Sequence, residues 1–108
     1  TRQCKGNRTM KLSRFRFYCG LIDPQGNEVR EAQYLAQVFA CEYVKGFTLT
    51  RATGYWEGAS ESSIVIEILC EDWELNAPKL AECLREVGNQ DAVLWTHETM
   101  IDAHLTVR

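Results

Sequence analysis

The segment 62–70 (SSIVIEILC) constrains this chain more than any other. It is the most β-branched run in the sequence. In an extended conformation Ile64, Ile66, Ile68 and Cys70 occupy one face, and Val65, Glu67 and Leu69 the other. Near-continuous apolarity suits a central strand, paired on both edges and covered on at least one face. The chain must therefore build a sheet around this strand. Its 108 residues allow one domain. A domain of that size buries roughly two-thirds of its unfolded surface, enough for a core without metals or disulfides.

The remaining elements follow from periodicity. Phe15, Phe17, Cys19 and Leu21 alternate with Arg16, Tyr18 and Gly20, which predicts a first strand. Residues 23–27 (DPQGN) form a turn, and Asn27 is placed to cap a helix with Glu28 and Glu31 near its start. Val29, Ala32, Leu35, Ala36, Phe39, Ala40 and Tyr43 keep the spacing of one helical face, and Lys45-Gly46 supplies a stop. Residues 47–56 (FTLTRATGYW) predict a second strand and 57–61 a hairpin connection into the isoleucine-rich strand. Asn76 and Pro78 open a second helix with the stripe Leu80, Ala81, Leu84 and Val87, stopped at Gly88-Asn89. Residues 92–97 predict a fourth strand. Ile101, Ala103, Leu105 and Val107 predict a short fifth or an extension.

The order β-α-β-β-α-β with an extra C-terminal strand predicts an α+β fold, the ferredoxin-like plait. Its antiparallel sheet carries both helices on one face and has the first and third strands at its centre. If the Ile64/Ile66/Ile68 face meets the helices, Tyr18, Val65, Glu67 and Leu69 lie on the uncovered face beside Arg14 and Arg16. That face is too apolar to be left wholly to water, so these four residues are the expected oligomer interface.

Charge divides the chain unevenly. Residues 1–16 hold six basic groups and no acid, and the remainder six basic against fifteen acidic, a balance of -9. Residues 1–9 (TRQCKGNRT) are polar and aperiodic and read as a flexible leader, leaving 10–108 as the domain. The overall charge of -3 argues against a general nucleic-acid binder. So does the absence of stacked aromatics in the third strand. No run of about 18 apolar residues and no secretory signal is present, which leads to the expectation of a cytoplasmic protein without membrane contact. Five cysteines, none in a CxxC pair, read as thiols in a reducing compartment.

Nucleophile, P-loop and metalloprotease motifs are absent, and no catalytic residue, metal ligand or cofactor is assigned. His97, Glu98 and His104 form the one histidine cluster. In an extended chain residues 97 and 104 point to opposite faces, so they read as surface or interface groups. Glu71, Asp72 and Glu74 read as a solvated loop. The segment Gly54-Tyr55-Trp56-Glu57-Gly58 sets two large aromatics between glycines at a strand end. It serves either as a core anchor or as a contact site, and Tyr55, Trp56 and Glu57 are candidate ligand or partner residues.

In element order and in its short final strand, over about residues 14–107, the chain resembles the trimeric PII-like group, which includes nitrogen-regulatory PII proteins and CutA-type proteins. The resemblance implies a non-enzymatic, oligomeric binding or regulatory accessory protein of a bacterium or mobile element, a trimer or dimer through its open sheet. The loop that PII proteins use for nucleotide and partners, between strands two and three, is only about five residues here. A second resemblance, to dimeric α+β-barrel proteins, implies a small monooxygenase-like enzyme with a pocket between sheet and helices. Trp95 and His97, together with Tyr18, would line that pocket.

Overall fold

The isoleucine-rich run lies where its two-sided apolarity requires, inside a four-stranded sheet. The computed structural model describes residues 6–108. Its elements are β1 (Asn7–Gly20), α1 (Glu31–Phe39), β2 (Thr48–Trp56), β3 (Ala59–Cys70), a 3-10 turn (Asp72–Glu74), α2 (Ala77–Val87) and β4 (Leu94–Thr106). The sheet order is β2-β3-β1-β4, antiparallel throughout. The protein is thus a ferredoxin-like α+β plait with its two most apolar strands at the centre.

β1 and β3 are in register from Ser13 opposite Cys70 to Gly20 opposite Ser63. Alternation puts Phe15, Phe17, Cys19, Ile64, Ile66 and Ile68 on one face, where Tyr34 and Val38 of α1 and Leu80, Ala81 and Leu84 of α2 cover them. Tyr34 is fully buried, and its hydroxyl donates to the Gly20 carbonyl at 2.5 Å. A buried phenol needs such a partner. Gly88 has no side chain because a Cβ there would collide with the Tyr34 ring.

The structure shifts several expected boundaries. Asn27 does not cap α1. Asp23 Oδ1 instead accepts from the backbone N–H groups of Gln25 (2.9 Å) and Asn27 (2.8 Å), which ties Asn27 into the preceding loop. The helix starts after Arg30, where Gln33 Oε1 accepts from the Arg30 N–H, and it ends at Ala40 rather than Lys45-Gly46. Its inward stripe is Tyr34 and Val38, so Ala32, Ala36 and Phe39 of the expected stripe are exposed. The hairpin connection is only Glu57-Gly58, both at positive φ, a two-residue turn whose twist matches its strands. α2 begins as expected, with Asn76 Oδ1 accepting from Lys79 N–H at 3.2 Å.

The expected last strand is present as the continuation of β4, which runs unbroken to Thr106. Asn7, Arg8 and Thr9, assigned to the leader from sequence, are the first residues of β1, since Ile101–Thr106 gives them a pairing partner. Residues 1–5 of that leader, Cys4 included, lie outside the described residues. The molecule measures 60 × 27 × 22 Å with a radius of gyration of 16.1 Å. A compact chain of this length has about 13 Å. The excess comes from both ends. Residues 7–12 and 101–106 run past the end of β3 as a two-stranded ribbon, and the β2–β3 hairpin projects past the opposite end. No helix among the described residues is long and apolar enough to cross a membrane.

Candidate functional site

The face away from the helices has no cover from the described residues. Its centre is a four-membered ionic group. Arg16 Nε donates to Glu67 Oε1 at 2.8 Å, and Arg14 Nη1 to Glu98 Oε1 at 3.3 Å, with each arginine within 3.9 Å of the other's carboxylate. Glu67 raises the Arg16 pKa, chiefly through that hydrogen bond. Two positive and two negative charges cancel, so the centre of this face is polar but neutral. Arg14 Nε is buried and has no hydrogen bond of its own. Around this group stand Tyr18, Val65, Leu69 and Leu94, apolar and only partly buried.

Towards the hairpin end the face carries an exposed carboxylate beside two glycines. Glu61 lies on β3 directly opposite Gly54 of β2. On its other side is Gly20 of β1, where an added Cβ would come within 3.1 Å of Glu61 Oε1 and 3.0 Å of Gln90 Oε1. Neither neighbouring strand places a side chain beside the carboxylate. The Gly20 backbone is held by Tyr34 and by Gln90, whose Nε2 also reaches the carbonyls of Ile22 (3.2 Å) and Gly88 (3.1 Å). Trp56 pairs with Ala59, which makes it the diagonal neighbour of Glu61 on the same face, about 7–8 Å away. Among the described residues no lysine, arginine or histidine forms an ion pair with Glu61.

The residues expected from sequence divide into three groups. Tyr55 and Trp56 are 76% and 75% exposed at the projecting hairpin, so neither anchors the core, and Glu57 occupies the turn itself. Tyr18, Val65, Glu67 and Leu69 share the open face with Arg14 and Arg16. Trp95 and His97 lie on β4, at the opposite edge of the sheet from the hairpin strand β2 and on the helix side. Trp95 stacks on Phe17 (centroids 6.0 Å) and His97 on Phe15 (4.3 Å). Tyr18 is on the other face, so these three cannot line one pocket between sheet and helices.

His97 is instead part of a structural clip. Its Nε2 is 2.7 Å from Asp72 Oδ1, the oxygen that also accepts from Ser13 Oγ at 2.7 Å. These bonds, Ser13's above all, hold the Asp72 pKa below the usual range and fix the 3-10 turn to the sheet. Glu98 turns to the open face to meet Arg14, and His104 meets Thr9, so the histidine cluster is divided among different contacts. On the helix side, burial pushes the Cys19 thiol up to about 12 and Cys70 to about 11, which keeps both protonated. Two grooves open at the rim. One, of about 410 Å³, is crossed by the Glu31–Arg51 ion pair at 2.6 Å; the other, of about 490 Å³, lies beside Tyr43 and Trp73.

Glu61, Gly20 and Gly54 were missed from sequence because Glu61 was assigned to the hairpin connection. The signal was present. A two-residue turn at Glu57-Gly58 extends β3 back to Ala59, and Glu61 then shares the face of Ser63, Val65 and Glu67.

No protein-family model and no curated protein matches the sequence. Solved structures do match in fold. A phage SAM lyase in complex with S-methyl-5'-thioadenosine is 16% identical, with TM-score 0.59 over 89% of this chain and 90% of that one. CPII, a nitrogen regulatory PII-like protein from Thiomonas intermedia bound to ADP, AMP and bicarbonate, is 11% identical, with TM-score 0.60 over 89% and 96%. A DUF3240 family protein from Shewanella baltica is 12% identical, with TM-score 0.58 over 82% and 89%. At these identities the likeness is one of fold, the ferredoxin-like plait that this chain shares with a PII-like protein.

Proposed function

We propose that the protein is a homo-oligomer, joined through its open sheet faces, that binds a positively charged adenosine compound beside Glu61. The observation that carries this reading is the unpaired carboxylate flanked by Gly20 and Gly54, with the exposed indole of Trp56 diagonal to it. An aromatic face suits a flat base, and a carboxylate without a basic partner suits a cation. Phosphates would need basic donors beside Glu61. Arg14 and Arg16, at the centre of this face, are engaged with Glu67 and Glu98. Two proteins of similar fold carry adenosine-type ligands, S-methyl-5'-thioadenosine in one and ADP with AMP in the other. S-adenosyl-L-methionine joins an adenine to a sulfonium cation and is the ligand to test. Binding in a regulatory or accessory role is the primary reading. Its free thiols suit a cytoplasmic setting.

A second reading, that the protein also cleaves the compound, rests on the similarity to a SAM lyase. Titration calorimetry with S-adenosyl-L-methionine should show binding to the wild type and at least about tenfold weaker binding to Glu61→Gln, the loss of one charge contact of about 1.4 kcal/mol. Equal affinity in both proteins, or none in either, would overturn the site. Chromatography of the same mixtures for S-methyl-5'-thioadenosine separates the two readings, since only catalysed cleavage releases more of it than a protein-free control.

A further inference from the structure

The ribbon formed by residues 7–12 of β1 and 101–106 of β4 has no role in the plait itself. Its strands pair only with each other, because β3 ends where Cys70 meets Ser13. A two-stranded ribbon is marginal in water unless something packs on it. Its sides differ sharply. Thr9, Lys11, Asp102 and His104 occupy one side, joined by the Lys11–Asp102 ion pair and a 3.2 Å contact between Thr9 and His104. Met10, Leu12, Ile101, Ala103 and Leu105 occupy the other, with Arg8 opposite Leu105.

A β-bulge sets this division. In the body of the sheet the even residues of β4, Leu94, Thr96 and Glu98, share the open face with Arg14, Arg16 and Tyr18. Between the pairs Arg14–Glu98 and Leu12–Ile101 the register shifts by one extra residue in β4, with Met100 at φ +57. Beyond it the odd residues face the open side. Had the register continued unshifted, the open side would carry Met100, Asp102 and His104. With the shift, a strip that is apolar except for Arg8 continues the open face past the end of the sheet.

We infer that this ribbon is an arm that lies across the open sheet face of a second copy of the chain. Three observations favour another copy as the occupant. The strip and the open face form one continuous surface, so an arrangement in which each copy covers its neighbour satisfies both. The ribbon extends six residues per strand, about 20 Å, which matches the roughly 19 Å width of a four-stranded sheet. The ionic group at the centre of the face is neutral, so a second copy meets no net repulsion there. The inference rests on the reading that open faces meet, and adds which segment reaches across.

The test compares two substitutions of equal charge on opposite sides of one ribbon, Leu105→Lys and His104→Lys, by sedimentation equilibrium, with circular dichroism melts as the check on folding. The wild type and His104→Lys should sediment as the same oligomer. Leu105→Lys should remain folded and dissociate, with a dissociation constant raised at least about tenfold. If both lysine variants stay oligomeric, the arm is wrong while face-to-face association stands. If the wild type is a monomer, both fail.

Discussion

The two faces of this sheet are built from the same four strands yet differ in almost every physical respect. On the helix side Phe17, Cys19, Ile64, Ile66 and Ile68 are fully buried, and the charges have been kept to its edges. On the open side the neighbouring positions hold Arg14, Arg16 and Glu67 at the centre, Tyr18, Leu69 and Leu94 around them, and a carboxylate between two glycines at one end. The first arrangement is a hydrophobic core that defines the fold. The second is more elaborate than a solvated surface requires: its arginines and glutamates are positioned by one another, and its apolar residues extend onto the ribbon. A neutral, partly apolar face is suited to a partner and a ligand, and the helix-covered face to neither.

The contrast is most directly broken by paired substitutions of adjacent residues in β1. Phe17→Ala should lower stability by about 3–5 kcal/mol in urea melts, since it empties a fully packed position. Tyr18→Ala, one residue along on the open face, should change the stability of the isolated subunit far less. Equal losses would mean that the two faces do not differ as described. Next in size, Leu69→Lys should dissociate the oligomer, because an unpaired charge trapped at an interface costs several kcal/mol. A sedimentation profile unchanged by this substitution would move the interface elsewhere.

Trp56→Ala sharpens the contrast at the hairpin. An indole 75% exposed contributes little to folding, so stability should stay within about 0.5 kcal/mol of the wild type while affinity for S-adenosyl-L-methionine falls. A loss of about 3 kcal/mol or more would make it a core residue after all.

The smallest expected effect is in acid. Asp23 is held below the usual carboxylate range by the Asn27 backbone N–H first and the Asn89 side chain second. Asp72 is lowered by Ser13 and then His97. A depressed pKa contributes stability above the unfolded-state value, and that contribution is lost as pH falls through the folded-state value. The double variant Asp23→Asn, Asp72→Asn should therefore lose less stability between about pH 5 and pH 2 than the wild type. Melts over that range that superimpose after normalisation to pH 7 would show that these bonds do not act as described.

Much of this was legible in the sequence wherever a period was strong. The isoleucine run and the phenylalanine–cysteine alternation of β1 located the central strands and the inward face, because a strand's period of two leaves only one burial phase. Helix α1 was harder. Val29, Ala32, Leu35, Ala36 and Phe39 form a plausible stripe, but Tyr34 and Val38 win the inward phase because the Tyr34 hydroxyl bonds the Gly20 carbonyl, a long-range contact that no local pattern encodes. Residues 7–9 look aperiodic by themselves and join β1 only because β4 runs far enough to pair with them. The bulge at Met100 explains why the C-terminal alternation read as a separate strand: the phase does change there, although the strand does not stop. Glu61 was hidden by a hairpin boundary placed too late. The separation of Trp95 and His97 from the hairpin residues depends on strand order, which sets them on opposite edges.

The central claim is that the open face both joins copies of the chain and holds a cationic adenosine compound beside Glu61. Native mass spectrometry of the purified protein mixed with S-adenosyl-L-methionine tests both parts at once. The account predicts a multiple of the 12.4 kDa chain carrying the compound or a product of it, and the same multimer without it for Glu61→Ala. A bare monomer in the wild-type spectrum would contradict the account.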